Sequence, residues 1–316
     1  GTACYPQCGA CSCGRCPLPG HTYSFKEEQE LALIQSKLRY DEERWKWVCG
    51  YPWIVDPRSL PDNYPAADST LLRTERTLLK EPEWMATYQK QIDDHVARGV
   101  ARKLTQEEID SYTGPYFYLS HMAVEQPKSE STPVRIVFNS SQKFQGVSLN
   151  DCLAKGPDAY NNSLLGMLIR FREHQTVIIG DIKKMYNTVE LEEMEQHMHR
   201  FLWRSCEQDR KPEVWVITRV NLGDRPSGTI AITAKNNTAH MFSHIDEEAA
   251  VMIIYCSYTD DLINSIPETF PKALTLTGKC EDILIRGGFE MKGWWFGGVS
   301  VPVEYKKKDP QQVLGS

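Results

Sequence analysis

Two adjacent carboxylates, Asp260 and Asp261, stand between the apolar runs Val251–Tyr255 and Leu262–Ile263. This pattern is typical of two strands joined by a tight turn, with the acids at the turn. Crowded carboxylates are costly unless a cation neutralises them, and Mg²⁺ is the usual cation where phosphates are also handled. Taken alone, an Asp-Asp pair is equally typical of a solvated turn.

A third carboxylate, Asp181, follows the segment Thr176–Gly180, which has the apolar pattern of a buried strand. If this strand lies beside the Asp260–Asp261 turn, three acids meet at one point. Such a cluster can hold two metal ions roughly 4 Å apart, which suits in-line phosphoryl transfer. The sequence therefore predicts a site for two Mg²⁺ ions formed by Asp181, Asp260 and Asp261.

Short motifs connect this chain with a known family. Tyr258-Thr259-Asp260-Asp261 resembles the Tyr-x-Asp-Asp box of reverse transcriptases, and Asp181 with Tyr186 resembles their first palm motif. Further segments, from residue 20 onward and in the family's order, resemble the BEL/Pao group of LTR retrotransposons: Val134–Ser141, Ser148–Asp151, Lys155–Pro157 and Arg200–Arg204. The resemblance implies an RNA-directed DNA polymerase that adds deoxynucleotides to a primer 3′-hydroxyl on an RNA or DNA template.

The resemblance also implies roles in nucleotide binding. The Tyr186 ring would stack under the incoming sugar and exclude a 2′-hydroxyl, and the amides of Lys184 and Met185 would lie near the triphosphate. Arg135 matches a fingers arginine whose forked donors suit phosphate oxygens. An aromatic residue packed in the core and a surface arginine are the alternatives for Tyr186 and Arg135.

Two further residues complete the predicted site. Gly223 matches a loop glycine that lets the backbone approach the nucleotide, and Lys292 matches a lysine that protonates pyrophosphate. A plain loop and a surface lysine are the alternatives. The sequence departs from the family at Asn139, where aspartate is common, at Leu222, where retroviral enzymes carry glutamine, and at Gly228, where proline is common.

The predicted fold class is α+β, with right-hand polymerase fingers and palm, an antiparallel palm sheet backed by helices, and a small Cys-rich N-terminal appendage. The predicted domains are a Cys-rich segment (1–21), a helical extension (22–113), fingers (114–175) and palm (176–316). Capping boxes at Ser24 and Thr105 predict helix starts. The remaining predicted elements are a hairpin (115–124 and 134–139), helices 160–172, 190–204, 227–249 and 268–286, and strands 176–181, 213–220, 251–257, 261–265 and 289–296.

Five cysteines and a histidine crowd the N-terminus: Cys4, Cys8, Cys11, Cys13, Cys16 and His21. Short Cys-x-x-Cys spacings let thiolates converge on a tetrahedral Zn²⁺. The six residues exceed four ligands, so which four bind stays open. Disulfides and a disordered, reduced terminus are the alternatives.

Composition limits the class of protein. The chain has 316 residues, 41% of them apolar, and a formal charge of −6, so nucleic-acid binding would depend on local basic strips. The candidates for such strips are Arg170 with Arg172, Arg200 with Arg204, and Lys306–Lys308. No apolar run is long enough to span a bilayer, and no signal peptide is evident. The expected location is the cytoplasm, in a virus-like particle, or the nucleus.

The expected partners are a template-primer, deoxynucleoside triphosphates and other parts of a Pol polyprotein that carry the thumb, ribonuclease H and integrase. Two other interpretations remain open at this point. One is a host-domesticated, non-catalytic nucleic-acid-binding protein on a polymerase scaffold. The other is a zinc module joined to an inert core.

Overall fold

The computed structural model describes residues 22–126, 133–157, 160 and 162–306. It is a mixed α/β structure with small antiparallel sheets. Its α-helices are α1 (Phe25–Ser36), α2 (Tyr64–Leu78), α3 (Pro82–Ala97), α4 (Gln106–Ser111), α5 (Leu164–Phe171), α6 (Glu193–His197), α7 (Ser227–Met241), α8 (Glu247–Tyr255) and α9 (Phe270–Leu284). Its strands are β1 (Leu38–Asp41), β2 (Lys46–Cys49), β3 (Ala101–Lys103), β4 (Ser120–Glu125), β5 (Val134–Asn139), β6 (Thr176–Ile182), β7 (Glu190–Leu191), β8 (Arg200–Trp203), β9 (Glu213–Ile217), β10 (Ser257–Tyr258), β11 (Asp261–Ile266) and β12 (Met291–Gly297).

The chain divides into two compact units that interleave along the sequence. The first unit contains residues 22–48, 155–189 and 228–306, and the second contains residues 49–154 and 190–227. The predicted domain boundaries at residues 113 and 175 remain predictions. No helix in the described part of the chain combines the length and apolarity needed to span a bilayer.

An antiparallel sheet in the order β10-β11-β6-β12 forms the centre of the first unit. Along β6 every second residue is buried, from Thr176 to Ile182, because successive side chains point to opposite faces of a strand. Helix α9 packs against β6 and β12, and α8 against α9 and β11. The sheet is therefore backed by helices, and Asp181 belongs to the half-buried set of β6 residues.

The second unit contains two small sheets, β3-β9-β8 and the hairpin β4-β5. Helix α2 packs on β4 and α3 on β5. The four residues of β8 are all buried, and aromatic rings surround them, including Tyr88 against Trp203 with ring centroids 5.4 Å apart. The ring of Phe201 lies edge-on to Phe138 at 5.1 Å. The hairpin predicted at 115–124 and 134–139 is present as β4 and β5.

Both predicted capping boxes are confirmed. The Ser24 hydroxyl accepts from the Glu27 amide while the Glu27 carboxylate accepts from the Ser24 amide, and Thr105 and Glu108 repeat the pattern. Each reciprocal pair satisfies two amides that a helix start leaves without intrahelical partners.

Three predicted elements are wrong. The strand predicted at 251–257 is mostly helix α8, because Asp246 caps the Ala249 amide and two glutamates occupy the first turn. The helix predicted at 190–204 is instead β7, the short helix α6 and the buried strand β8. The helix predicted at 227–249 ends at Met241, and α8 begins separately at Glu247.

The N-terminal cluster of Cys4, Cys8, Cys11, Cys13, Cys16 and His21 lies outside the described residues, as do Lys307 and Lys308. The other five cysteines are free and buried, as expected for core residues.

Candidate active site at the carboxylate hairpin

A two-residue turn, Thr259-Asp260, joins β10 to β11, and Tyr258 pairs with Asp261 across it. Thr259 has φ of 52°, as the first central residue of a type II′ turn requires. A β-branched residue seldom adopts this left-handed conformation, and it persists where the surroundings impose it. The hairpin therefore holds Asp260 at its tip in a strained backbone.

Strand β6 lies directly beside this hairpin. Asp261 is the register partner of Asp181, and the Ile182 amide donates to the Asp260 carbonyl at 2.7 Å. Directly opposed residues of an antiparallel pair present their side chains on the same face. The structure thus brings together two segments that the sequence separates by about eighty residues, the strand that carries Asp181 and the hairpin that carries Asp260 and Asp261.

The pKa of the Asp260 carboxyl is raised by its surroundings, including Asp181. Burial raises the pKa of the Asp260 carboxyl, the negative charge of Asp181 raises this pKa further, and the Lys292 ammonium opposes that rise. The charge of Asp181 thus disfavours ionisation of the Asp260 carboxyl, and a bound cation would relieve this effect.

Lys292 reaches the site from β12 because of a break in the strand register. Met291 pairs with Ile182 and Gly293 with Asp181, so Lys292 is the additional residue between the two pairs. Such a bulge re-aims a side chain, and the Lys292 Nζ donates to Asp181 Oδ2 at 3.1 Å. The lysine side chain is 63% exposed, so the contribution of this ion pair to stability is small.

Tyr186 lies in a 3-10 turn formed by Met185–Thr188. Burial raises the pKa of its phenol, and the charge of Asp260 raises this pKa as well, which locates the ring near the hairpin tip. Lys184 precedes the turn with φ of 47°, and the Met185 side chain is buried. The structure therefore connects Tyr186 with Asp260, while Lys184 and Met185 precede it in the chain and their roles in nucleotide binding stay predictions.

Arg135 and Gly223 belong to the second unit. Arg135 is an exposed residue of β5, paired with Val124. At Gly223 a Cβ would come within 2.9 Å of the Phe138 carbonyl oxygen, so internal packing requires glycine here. Their roles in nucleotide binding stay predictions.

The donor chemistry of the hairpin fits Mg²⁺, which prefers carboxylate oxygens. Asp261 is the register partner of Asp181 and lies on the same sheet face, and the charge of Asp181 raises the pKa of Asp260. Within the described residues, no three Asp, Glu, His or Cys side chains are already arranged to hold a metal ion. The arrangement is therefore three carboxylates on two adjacent strands and their turn, not a completed set of metal ligands.

Sequence reasoning missed one polar contact next to the hairpin. Lys235 is 1% exposed within α7, and its Nζ donates to the hydroxyl of Ser257, the first residue of β10. The sequence feature that could have predicted this contact is a single lysine among the apolar residues Ile230, Ala231 and Ala234 of the helix.

No family model matches the chain, and no curated protein matches it. Among solved structures it is similar to the foamy viral protease-reverse transcriptase dRH in complex with double-stranded DNA, and to the foamy viral protease-reverse transcriptase in complex with an RNA/DNA hybrid. In both cases the identity is 16%, the TM-score is 0.48 and 84% of this chain is covered. The chain spans 42% of the first of those chains and 32% of the second.

Proposed function

We propose that the chain is an RNA-directed DNA polymerase of the BEL/Pao retrotransposon type, which extends a primer with deoxynucleotides on an RNA or DNA template. The observation that carries this proposal is the juxtaposition of Asp181 with the Tyr258–Asp261 hairpin, in strand register and with the charge of Asp181 acting on Asp260. The order of the sequence motifs gives it independent support.

In this proposal each residue of the hairpin has a defined task. Asp181 and Asp260 hold two Mg²⁺ ions, and Asp261 completes the acidic face. When bound, these ions supply the positive charge that activates the primer hydroxyl and stabilises the leaving pyrophosphate. Lys292 keeps an ammonium beside Asp181, where it can donate a proton to the pyrophosphate.

The half-buried Tyr186 ring would support the sugar of the incoming nucleotide from the side of Asp260. A ring in that position leaves no room for a 2′-hydroxyl, so deoxynucleotides are preferred. Template and primer are held mainly through phosphate contacts.

The proposal is tested by nucleotide incorporation. The purified chain is given a primed RNA or a primed DNA template with Mg²⁺ and either deoxy- or ribonucleoside triphosphates. We expect template-dependent extension with deoxynucleotides and at least roughly tenfold slower use of ribonucleotides, since a steric clash of one hydroxyl is worth a few kcal/mol. Tight template-primer binding without any extension would instead favour a non-catalytic binding protein.

A further inference from the structure

A small cavity lies behind the carboxylate hairpin, within the first unit. Its volume is about 150 Å³, and its lining includes Tyr23, Tyr160, Asn162, Lys235, Asn236 and Ser257. The Asn162 amide closes one side by donating to the carbonyls of Ile254 and Ser257 at 2.8 and 2.7 Å. The cavity thus has a defined polar wall on the side that leads to β10.

Lys235 presents a buried amine to this cavity. The Ser257 hydroxyl donates its proton to the Ile253 carbonyl at 2.8 Å, so it accepts a hydrogen bond from the Lys235 Nζ. Ser257 therefore binds an N–H of Lys235 and does not bind the lone pair of the neutral amine. Burial lowers the pKa of Lys235 to about 7, so a large fraction of the amine is neutral near neutral pH.

Two other polar groups of the cavity suit a reacting carbonyl compound. The single Thr233 hydroxyl proton goes to the Thr229 carbonyl at 2.7 Å, so the Tyr160 hydroxyl donates to Thr233 Oγ1 at 3.0 Å and offers its own oxygen to a ligand as an acceptor. The Asn236 Oδ1 atom is buried and has no hydrogen-bond partner among the described residues. Addition of the Lys235 amine to an aldehyde would form a hydroxyl group, which could donate to this oxygen. Such a hydrogen bond would be favourable, because a buried acceptor without a partner is costly.

We propose that Lys235 is a reactive amine that captures a small aldehyde as an imine in the cavity it shares with Tyr160 and Asn236. The Nζ lone pair forms a bond to the carbonyl carbon, and the carbonyl π pair moves to oxygen, which takes up a proton. Both protons of the departing water come from Nζ, the first after attack and the second as the C–O bond breaks, and the nitrogen lone pair then forms the C=N bond. One amine and one aldehyde therefore give one imine and one water. Desolvated lysines are activated as nucleophiles in the same way. This inference does not depend on the proposed polymerase activity.

The test is competitive labelling of the native full chain with benzaldehyde and cyanoborohydride at pH 7, followed by peptide mass spectrometry. The hydride reduces the imine to a stable secondary amine. We expect Lys235 to be labelled at least about tenfold faster than the exposed Lys37, because an ordinary lysine, with a pKa of about 10.4, is almost fully protonated at this pH. Equal or slower labelling of Lys235 in the native chain would overturn the proposal.

Two controls separate the cavity from the chemistry of lysine in general. In urea the advantage of Lys235 should disappear, because unfolding removes its burial. In a Lys235→Met variant the fast-labelling fraction should be lost while labelling of Lys37 stays unchanged. Persistence of fast labelling in either control would assign the reactivity to another residue and contradict the proposal.

Discussion

At the scale of single residues, the sequence predicted the acids of the site but not how the Lys292 side chain reaches them. Asp260, Asp261 and Asp181 could be proposed because each stands at the end of an apolar run. The bulge that aims Lys292 at Asp181 could not be predicted, because an additional residue in one strand depends on the register of its partner. The buried contact of Lys235 with Ser257 likewise depends on how α7 packs.

A second buried network allows a prediction about pH. Asp224 is fully buried and accepts from Tyr51, Ser140 and His199, the last at 2.9 Å. Burial alone would lower the pKa of His199, but the charge and hydrogen bond of Asp224 outweigh it and raise this pKa. A histidine with a raised folded-state pKa stabilises the fold fully below its unfolded pKa, and this contribution is lost as pH rises through the folded pKa.

We therefore expect the contribution of His199 to the free energy of unfolding to fall as pH rises above about 6.5, the ordinary histidine value, whereas the lowered pKa of Lys235 acts in the opposite direction above about pH 7. His199→Gln should cost about 3–5 kcal/mol at pH 6, because it leaves the Asp224 charge buried without its partner. The variant should also lose most of this pH dependence. Urea unfolding from pH 6 to 9 measures both effects, with the exposed His240→Gln as control. An unchanged pH slope in His199→Gln would show that another group is responsible.

At the scale of elements, local signals predicted helices where a cap was recognised and failed where one was overlooked. Ser24 and Thr105 gave correct helix starts. The run Val251–Tyr255 is rich in strand-forming residues, yet Asp246 and two glutamates begin a helix through it. The predicted helix at 190–204 failed because β8 pairs with β9, a contact distant in sequence that intrinsic propensity does not report.

The strand that carries Asp181 depends on a close contact at the preceding residue. A Cβ at Gly180 would lie 2.5 Å from the Trp294 ring and 2.8 Å from the Met291 methyl group. We expect Gly180→Ala to destabilise the chain by about 1–3 kcal/mol, as overpacking does, and to slow primer extension by displacing Asp181.

Gly278 provides the matched control for this substitution. It lies within α9, and a Cβ there would meet no atom within 4 Å. Gly278→Ala should raise stability by about 1 kcal/mol through helix propensity and leave extension unchanged. Thermal unfolding of both variants checks the pair, and a Gly180→Ala variant as stable as the parent would contradict the packing described for β6 and β12.

At the scale of the whole molecule, the sequence predicted an α+β chain, and the structure is a mixed α/β chain with small antiparallel sheets. It did not predict that two compact units interleave along the sequence, because that arrangement is set by tertiary contacts between distant segments. The net charge of −6 means that any nucleic acid must be bound by local clusters of cations against an unfavourable overall field.

Binding of a template-primer should accordingly depend strongly on salt. If several phosphates are neutralised, affinity should fall by roughly tenfold or more between about 50 and 200 mM salt, because bound counterions are released. Fluorescence anisotropy with a labelled duplex measures the slope. Saturable binding that is insensitive to salt would rule out phosphate contacts as the main source of affinity.

The account depends most on Asp181 and Asp260 holding Mg²⁺ together, and single-turnover primer extension with Mg²⁺ tests it most directly. Asp181→Asn and Asp260→Asn should each slow extension by about a thousandfold or more, since stabilisation of charge by metal ions is worth several kcal/mol, while duplex affinity changes little. Glu290→Gln, which removes an exposed carboxylate that pairs with Lys183 on the same unit, should extend at close to the parental rate. Extension by either Asp variant at the rate of Glu290→Gln would contradict the assignment of these two carboxylates.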